Sequence, residues 1–241
     1  MISLLRAEAL KLRRSLVLLV AATPPLMVFA LGFLVTASDN GPDMWQMQIM
    51  SGSAIWGFFL LPMSAIGLTA LQAQLEHAPN TWSHTLALPR PKWQVFLAKA
   101  ICAQLILAIV SLLVMIAGIL STLAGLPFSE TGSMTDELDW GLALSLYARM
   151  YVAAVFVTAL QWLIATRFRS FAVAVSVGIG GTFVAVAATS SKWGLYFPWL
   201  MPVNILASDP ERANLALAYG LGGGVLVYAL GIVWLARRDW A

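Results

Sequence analysis

Residues 100–129, AICAQLILAIVSLLVMIAGILSTLAGLPFS, run for thirty positions without a charged side chain. A helix needs roughly 20 apolar residues to cross the hydrocarbon core of a bilayer, so this stretch reads as a transmembrane helix. Working outward from it, charge-free windows recur at 15–38, 44–75, 150–166, 170–191 and 213–236, with 24, 32, 17, 22 and 24 residues. The one short window, 150–166, can be extended through Tyr147. Composition agrees: 60% of residues are hydrophobic and 10% charged, with mean hydropathy +0.83, against roughly 25% charged in a soluble domain. The expected fold is therefore an all-α polytopic membrane protein, a single domain over 1–241. Its six transmembrane helices should lie at about 15–37, 48–74, 95–124, 147–166, 170–190 and 211–236. Cys102 is the one cysteine, which excludes an intrachain disulfide.

Charge sets the orientation. With the N-terminus inside, Arg6, Lys11, Arg13, Arg14, Arg90, Lys92, Lys99, Arg167, Arg169, Arg237 and Arg238 fall on the inner side, leaving only Lys192, Arg212 and Arg149 outside. The acids lean outward through Asp39, Asp43, Glu130, Asp136, Glu137, Asp139, Asp209 and Glu211. This positive-inside bias places both termini in the cytoplasm. Trp45, Trp140, Trp193 and Trp199 mark the outer boundary, and Trp93, Trp234 and Trp240 the inner one. The start of the chain loosely resembles an export signal with a small-residue site near Ala37, but its apolar run exceeds the roughly 7 to 15 residues of a signal core.

Smaller features follow. Residues 1–14, MISLLRAEALKLRR, read as an amphipathic interfacial helix with Ile2, Leu5, Ala9 and Leu12 on one stripe; a basic tail serving only topology is the plainer alternative. Pro24–Pro25 should kink or weaken the first span. In 126–148, Ser133 and Asp136 have capping-box spacing before a short helix carrying Leu138, Leu142 and Leu146. The aromatic and proline-rich segment 190–212 suits an interfacial or re-entrant excursion, and the last helix should start near Pro210 behind Ser208. Gly178, Gly220 and Gly224 suggest close helix packing, either within the bundle or between protomers.

Several functions lack their chemistry. No window holds an ionisable residue, so the usual relay groups of an ion-coupled carrier are missing. The glycine runs GIGG and GLGGG lack the Lys–Ser/Thr pair of a phosphate-binding loop. Glu76, His77 and His84 lack the spacing of a zinc protease, and no metal site is expected. Polar chemistry concentrates instead in the inner loop 75–94, most of it in 76–99, EHAPNTWSHTLALPRPKWQVFLAK.

That segment resembles the first cytoplasmic loop of ATP-binding-cassette (ABC) exporter permeases of the type-2 export superfamily, nearest the lantibiotic and bacitracin immunity branch. Glu76, Thr81, Trp82, Leu86, Leu88, Pro89, Lys92 and Lys99 match the family pattern. Asn80 stands where glycine is usual, and Pro79 is a second departure; asparagine also tolerates left-handed backbone. The resemblance implies a coupling helix that docks on a separate ATPase, with Glu76, Asn80, Thr81, Trp82, Thr85, Leu86, Pro89 and Lys92 as contact residues. Asn80 or Thr81 would cap it, while Trp82, Leu86 and Thr85 would present an apolar anchor. Lys99 is expected only to snorkel.

The implied protein is a permease subunit of an ATP-driven exporter in the bacterial cytoplasmic membrane. It would bind no cofactor itself, with ATP and Mg held by the partner ATPase. Its partners would be that ATPase, a second or sibling permease and membrane lipids, with no nucleic acid. The expected substrate is amphipathic or lipid-like, with antimicrobial peptide resistance or drug efflux favoured by branch resemblance. Two rival readings are a non-transporting scaffold or sensor that uses the same loop and an integral-membrane enzyme acting on lipid.

Overall fold

The computed structural model describes residues 1–87, 89–130 and 132–238; Leu88 and Trp240, cited above, lie outside the described residues. It is all-helical, with six helical segments long and apolar enough to cross a membrane. A first helix, α1 (Ile2–Arg13), precedes span 1, α2 (Leu16–Ala37). Ser15 caps α2 by accepting from Val17 N–H, and Pro24 and Pro25 lie inside a helix that continues past them.

Span 2 covers Trp45–His77 and is built from α3 (Trp45–Ile55), a π-helical turn at Trp56–Leu60 and α4 (Leu61–His77). The turn has a local cause. Pro62 has no N–H to offer Phe58, and the ladder shifts so that Leu61 N–H bonds Trp56 O. Span 3 is α6 (Lys92–Gly125), continued by a 3₁₀ turn at Leu126–Phe128. Before it, the loop after span 2 forms the one-turn helix α5 (Trp82–Leu86).

Span 4 is longer than its charge-free window. It begins at Trp140 and breaks at Ala154 into α7 (Trp140–Ala153) and α8 (Val155–Arg167). Span 5 is α9 (Phe171–Ala188), and span 6 is α11 (Pro210–Arg237). The excursion between them turns inward: after a 3₁₀ turn at Lys192–Tyr196, Trp199, Leu200 and α10 (Met201–Asn204) are buried against the bundle.

Burial ranks the spans. In span 2, 61% of the most apolar window is buried, against 22% in spans 1, 5 and 6, so span 2 is the core element and the others present apolar faces outward. Span 1 packs mainly on α6, α4 on α8 and α9, and α11 on α8. The glycines of span 6 pack within the chain. A Cβ on Gly220 would lie 2.5 Å from Ala153 O, and one on Gly224 2.7 Å from the Val155 carbonyl carbon. Helix α11 thus presses its backbone against the break in span 4, which only glycine permits. Gly178 likewise faces Ile66 and Gln161.

Two capping expectations are corrected. Asp136 starts no helix in its own segment; its carboxylate accepts from Trp45 and Gln46 N–H and caps α3 from across the outer surface. Helix α7 starts instead behind Asp139, which accepts from Leu142 N–H. Span 6 does start at Pro210, but its cap is Asp209, accepting from Glu211 N–H, and not Ser208. In each case a carboxylate supplies the acceptor that the first free N–H groups of a helix need.

Candidate functional site

With six crossings both termini share one face of the bundle, and the loop between α4 and α6 lies on that face. Helix α4 runs to His77 before Pro79 ends it. Asn80 then adopts φ 55°, the left-handed turn that glycine would otherwise supply. Thr81 N–H bonds back to Glu76 O, and α5 begins at Trp82.

The side chain of Glu76 is buried, and each of its oxygens has a separate task. Oε1 accepts from Lys11 Nζ at 2.7 Å and from Lys99 Nζ at 3.1 Å. Oε2 accepts from the hydroxyls of Thr81 at 2.6 Å and Thr85 at 3.0 Å. Glu8 completes the group, taking Lys11 Nζ at 3.1 Å and Lys99 Nζ at 2.8 Å. Two carboxylates and two ammonium groups form a neutral ring that joins α1, α4 and α6. Lys99 is 1% exposed and Glu76 2%. Charges this far from water persist only when paired and hydrogen-bonded, and each of these is.

Lys11, at the rim, has a raised pKa. Burial opposes its charge, but the Glu76 hydrogen bond and the charges of Glu8 and Glu76 outweigh that cost. A raised lysine pKa stabilises below the ordinary 10.5 and is lost only as pH climbs through the higher folded value, so Lys11 stays charged throughout the neutral range.

A second attachment holds α5 through its first residue, Trp82. Trp82 Nε1–H donates to His77 Nδ1 at 2.9 Å, which leaves Nε2–H of His77 to donate to the carbonyls of Ala165 and Thr166, both at 3.2 Å. The indole stacks on Phe96 with centroids 5.6 Å apart, and Lys99 Nζ sits 5.5 Å from its ring centre. Trp82, Phe96, Trp162 and Leu235 share one buried cluster, so the loop is fixed to spans 3, 4 and 6. Gln72 adds a cross-link from α4, donating to Lys99 O at 2.9 Å.

This geometry changes the reading of several residues. Trp82 is not an outward anchor: it is buried, Leu86 packs beside it half-buried, and Thr85 turns to Glu76. Thr81 occupies the capping position of α5 but spends its hydroxyl on Glu76 rather than on a backbone N–H. Lys99 does not snorkel, because Glu8 and Glu76 satisfy it inside the protein. Among the described residues, the loop shows Ala78, Pro79, Asn80, Ser83, His84, Ala87, Pro89, Arg90 and Pro91 to solvent, with Lys92 half-buried at the start of α6.

Glu8 and His77 were missed as structural residues. Glu8 carried a usable signal: Leu5, Glu8 and Leu12 fall at helical spacing, which puts the carboxylate on the apolar face of α1. Leu12 and Glu8 are indeed buried, while Ile2 and Ala9 of the anticipated stripe are exposed.

The match to known proteins concerns most of this architecture. The family model described as ABC-2 family transporter protein matches residues 4–185, which includes most of α1, the loop, the first four spans and most of the fifth. No curated protein sequence matches the chain.

Proposed function

Because the chain belongs to the ABC-2 family of transporter proteins, we propose that it is the permease of an ATP-driven exporter whose loop 78–91 receives a cytoplasmic ATPase. Members of this family are membrane subunits that work with a separate ATPase, and this chain is a multi-pass membrane protein. The observation that carries the docking assignment is the two-sided nature of α5. Its inner side is bonded through Thr81, Thr85 and Trp82, while Ser83, His84, Ala87, Pro89 and Arg90 are free of the bundle.

A short helix held at both ends moves as a unit with what holds it. Displacement of α5 would pull on Glu76 at the end of span 2, and through Lys99 and Glu8 on span 3 and α1. Through Trp82 it would press on Phe96, Trp162 and Leu235 of spans 3, 4 and 6. A closing motion of the ATPases can thereby shift packed helices between discrete arrangements. In this reading Asn80, Pro89 and Lys92 belong to the contact surface or its edge, and Glu76, Thr81, Trp82, Thr85 and Leu86 transmit rather than touch.

The permease would act as a pair with a second or sibling copy in a bacterial cytoplasmic membrane, the ATPase holding ATP and Mg. The substrate would be amphipathic or lipid-like, antimicrobial peptides and drugs included. The test is co-purification with the partner ATPase and its hydrolysis in vesicles. Ser83→Arg together with His84→Glu should abolish ATPase association while leaving the permease inserted and folded. Full association of that variant would overturn the docking assignment.

A further inference from the structure

Opposite the ion-paired loop, between the outer halves of spans 1 to 4, lies a cavity of about 310 Å³. Ligand pockets run from roughly 300 to 1,000 Å³, so the space is sufficient for a slim ligand. Its floor is made by Val28, Ile49, Met115 and Ile119, all buried. Leu31 and Val35 of α2 and Ile55 of α3 also line it and are exposed, so the mouth opens between spans 1 and 2.

One feature distinguishes this space from a packing defect. Tyr147 lines it, is only 5% exposed, and its hydroxyl makes no hydrogen bond among the described residues. A Cβ on Gly52, on the facing wall, would stand 3.4 Å from that hydroxyl, so glycine leaves the phenol open to the cavity. The hydroxyl reaches the cavity with its proton unused, and an acceptor brought by a ligand would take it. Tyr147 is two turns below Trp140, roughly 10 Å at 1.5 Å per residue, within the apolar depth of the bundle.

We propose that this cavity binds the acyl chain of a single-chain amphiphile, admitted from the membrane between spans 1 and 2, with Tyr147 donating to its carbonyl oxygen. An apolar, narrow cavity suits a chain, and the Tyr147 hydroxyl, unlike the Asn40, Gln48, Ser51 and Ser121 side chains that donate within the protein, has its proton to offer the acceptor at the head of that chain. The inference rests on the exporter reading for the fate of the ligand. The binding itself is tested on the permease alone, so its failure would leave ATPase docking untouched.

The experiment uses purified full-length permease in detergent with a lysophosphatidylcholine that carries a photoactivatable diazirine on its acyl chain. Labelled peptides are then mapped by mass spectrometry. Labelling should concentrate on Trp45–Ile55 and Met115–Ser121, and unlabelled lysophosphatidylcholine should suppress it saturably. Gly118→Leu, whose Cβ has room beside Val28, should fill the space and remove most labelling. Tyr147→Phe, which keeps the shape, should weaken binding by roughly threefold to tenfold, the worth of one hydrogen bond. Labelling spread evenly over the outward faces of α9 and α11, unsuppressed by competitor in the wild-type chain, would overturn the proposal. Cross-linking of two permeases through this site in place of lipid would overturn it equally.

Discussion

At the end of the bundle that bears both termini, Glu8, Glu76 and Lys99 are held out of water with Lys11 at their rim, and every one of the four is paired. At the other end, spans 1 to 4 leave an apolar cavity with an unpartnered phenol. Both features lie where the sequence is mostly apolar, yet they respond to force in opposite ways. Removing one member of a buried ion ring leaves a charge with no compensation, so the inner end resists change and moves as a block. The outer end is bonded along its rim, through Asp136 to Trp45 and Gln46 and through Asp39 to Ser129 and Glu130, but behind that rim it has spare apolar volume in which a ligand can be taken up. The exporter proposed above, driven from one end and loaded at the other, would use this division.

The largest effect should come from breaking the ring. Lys99→Met leaves Glu8 and Glu76 sharing Lys11 alone and should cost about 3–5 kcal/mol, read as loss of monodisperse protein or a collapse of the thermal midpoint in detergent. Adding Glu8→Gln restores neutrality and should recover part of that loss. No recovery would mean that neutrality is not what the ring supplies.

Next comes Trp82→Ala, which empties a site among Phe96, Trp162 and Leu235. Truncating a buried aromatic costs roughly 3–5 kcal/mol in a closed core, and less is expected here because α5 lies at the edge. Its distinguishing mark is proteolysis within 78–91 at a concentration that spares wild type, with the spans intact.

Gly220→Ala should follow, at about 1–3 kcal/mol for overpacking, because its Cβ would meet the backbone of Ala153. A neutral result in a thermal-shift measurement would mean that α11 can slide from the break in span 4. A smaller effect is expected from Thr85→Val, about 1 kcal/mol for one hydrogen bond to Glu76. Substitutions of cavity-facing residues such as Gly118→Leu should move stability least, and that asymmetry between the two ends is the comparison under test.

Much of this was legible beforehand, because six charge-free windows and a bias of cations are strong signals and a bilayer allows few alternatives. The left-handed turn at Asn80 and the start of span 6 at Pro210 were also readable from local chemistry. The ion ring was not. Glu8 and Lys11 share one helical turn, but Glu76 and Lys99 are far from them in sequence, and each by itself looks like an ordinary charge beside an apolar run. Only the packing of α1 against α6 brings them together. The same gap misdirected Trp82: an aromatic beside two prolines reads as an exposed anchor until Phe96 and His77 are seen to hold it. Asp136, too, caps a helix ninety-one residues away, which no local spacing rule can find.

The central claim is that α5 and α1 move as one body through Glu76, Lys99 and Glu8. Spin labels at exposed Ser83 and Arg6, measured by double electron–electron resonance in reconstituted permease, test it directly. A narrow distance distribution in the wild-type background that broadens when Lys99→Met is introduced is the expected result. A broad distribution in both, indifferent to Lys99, would contradict the account.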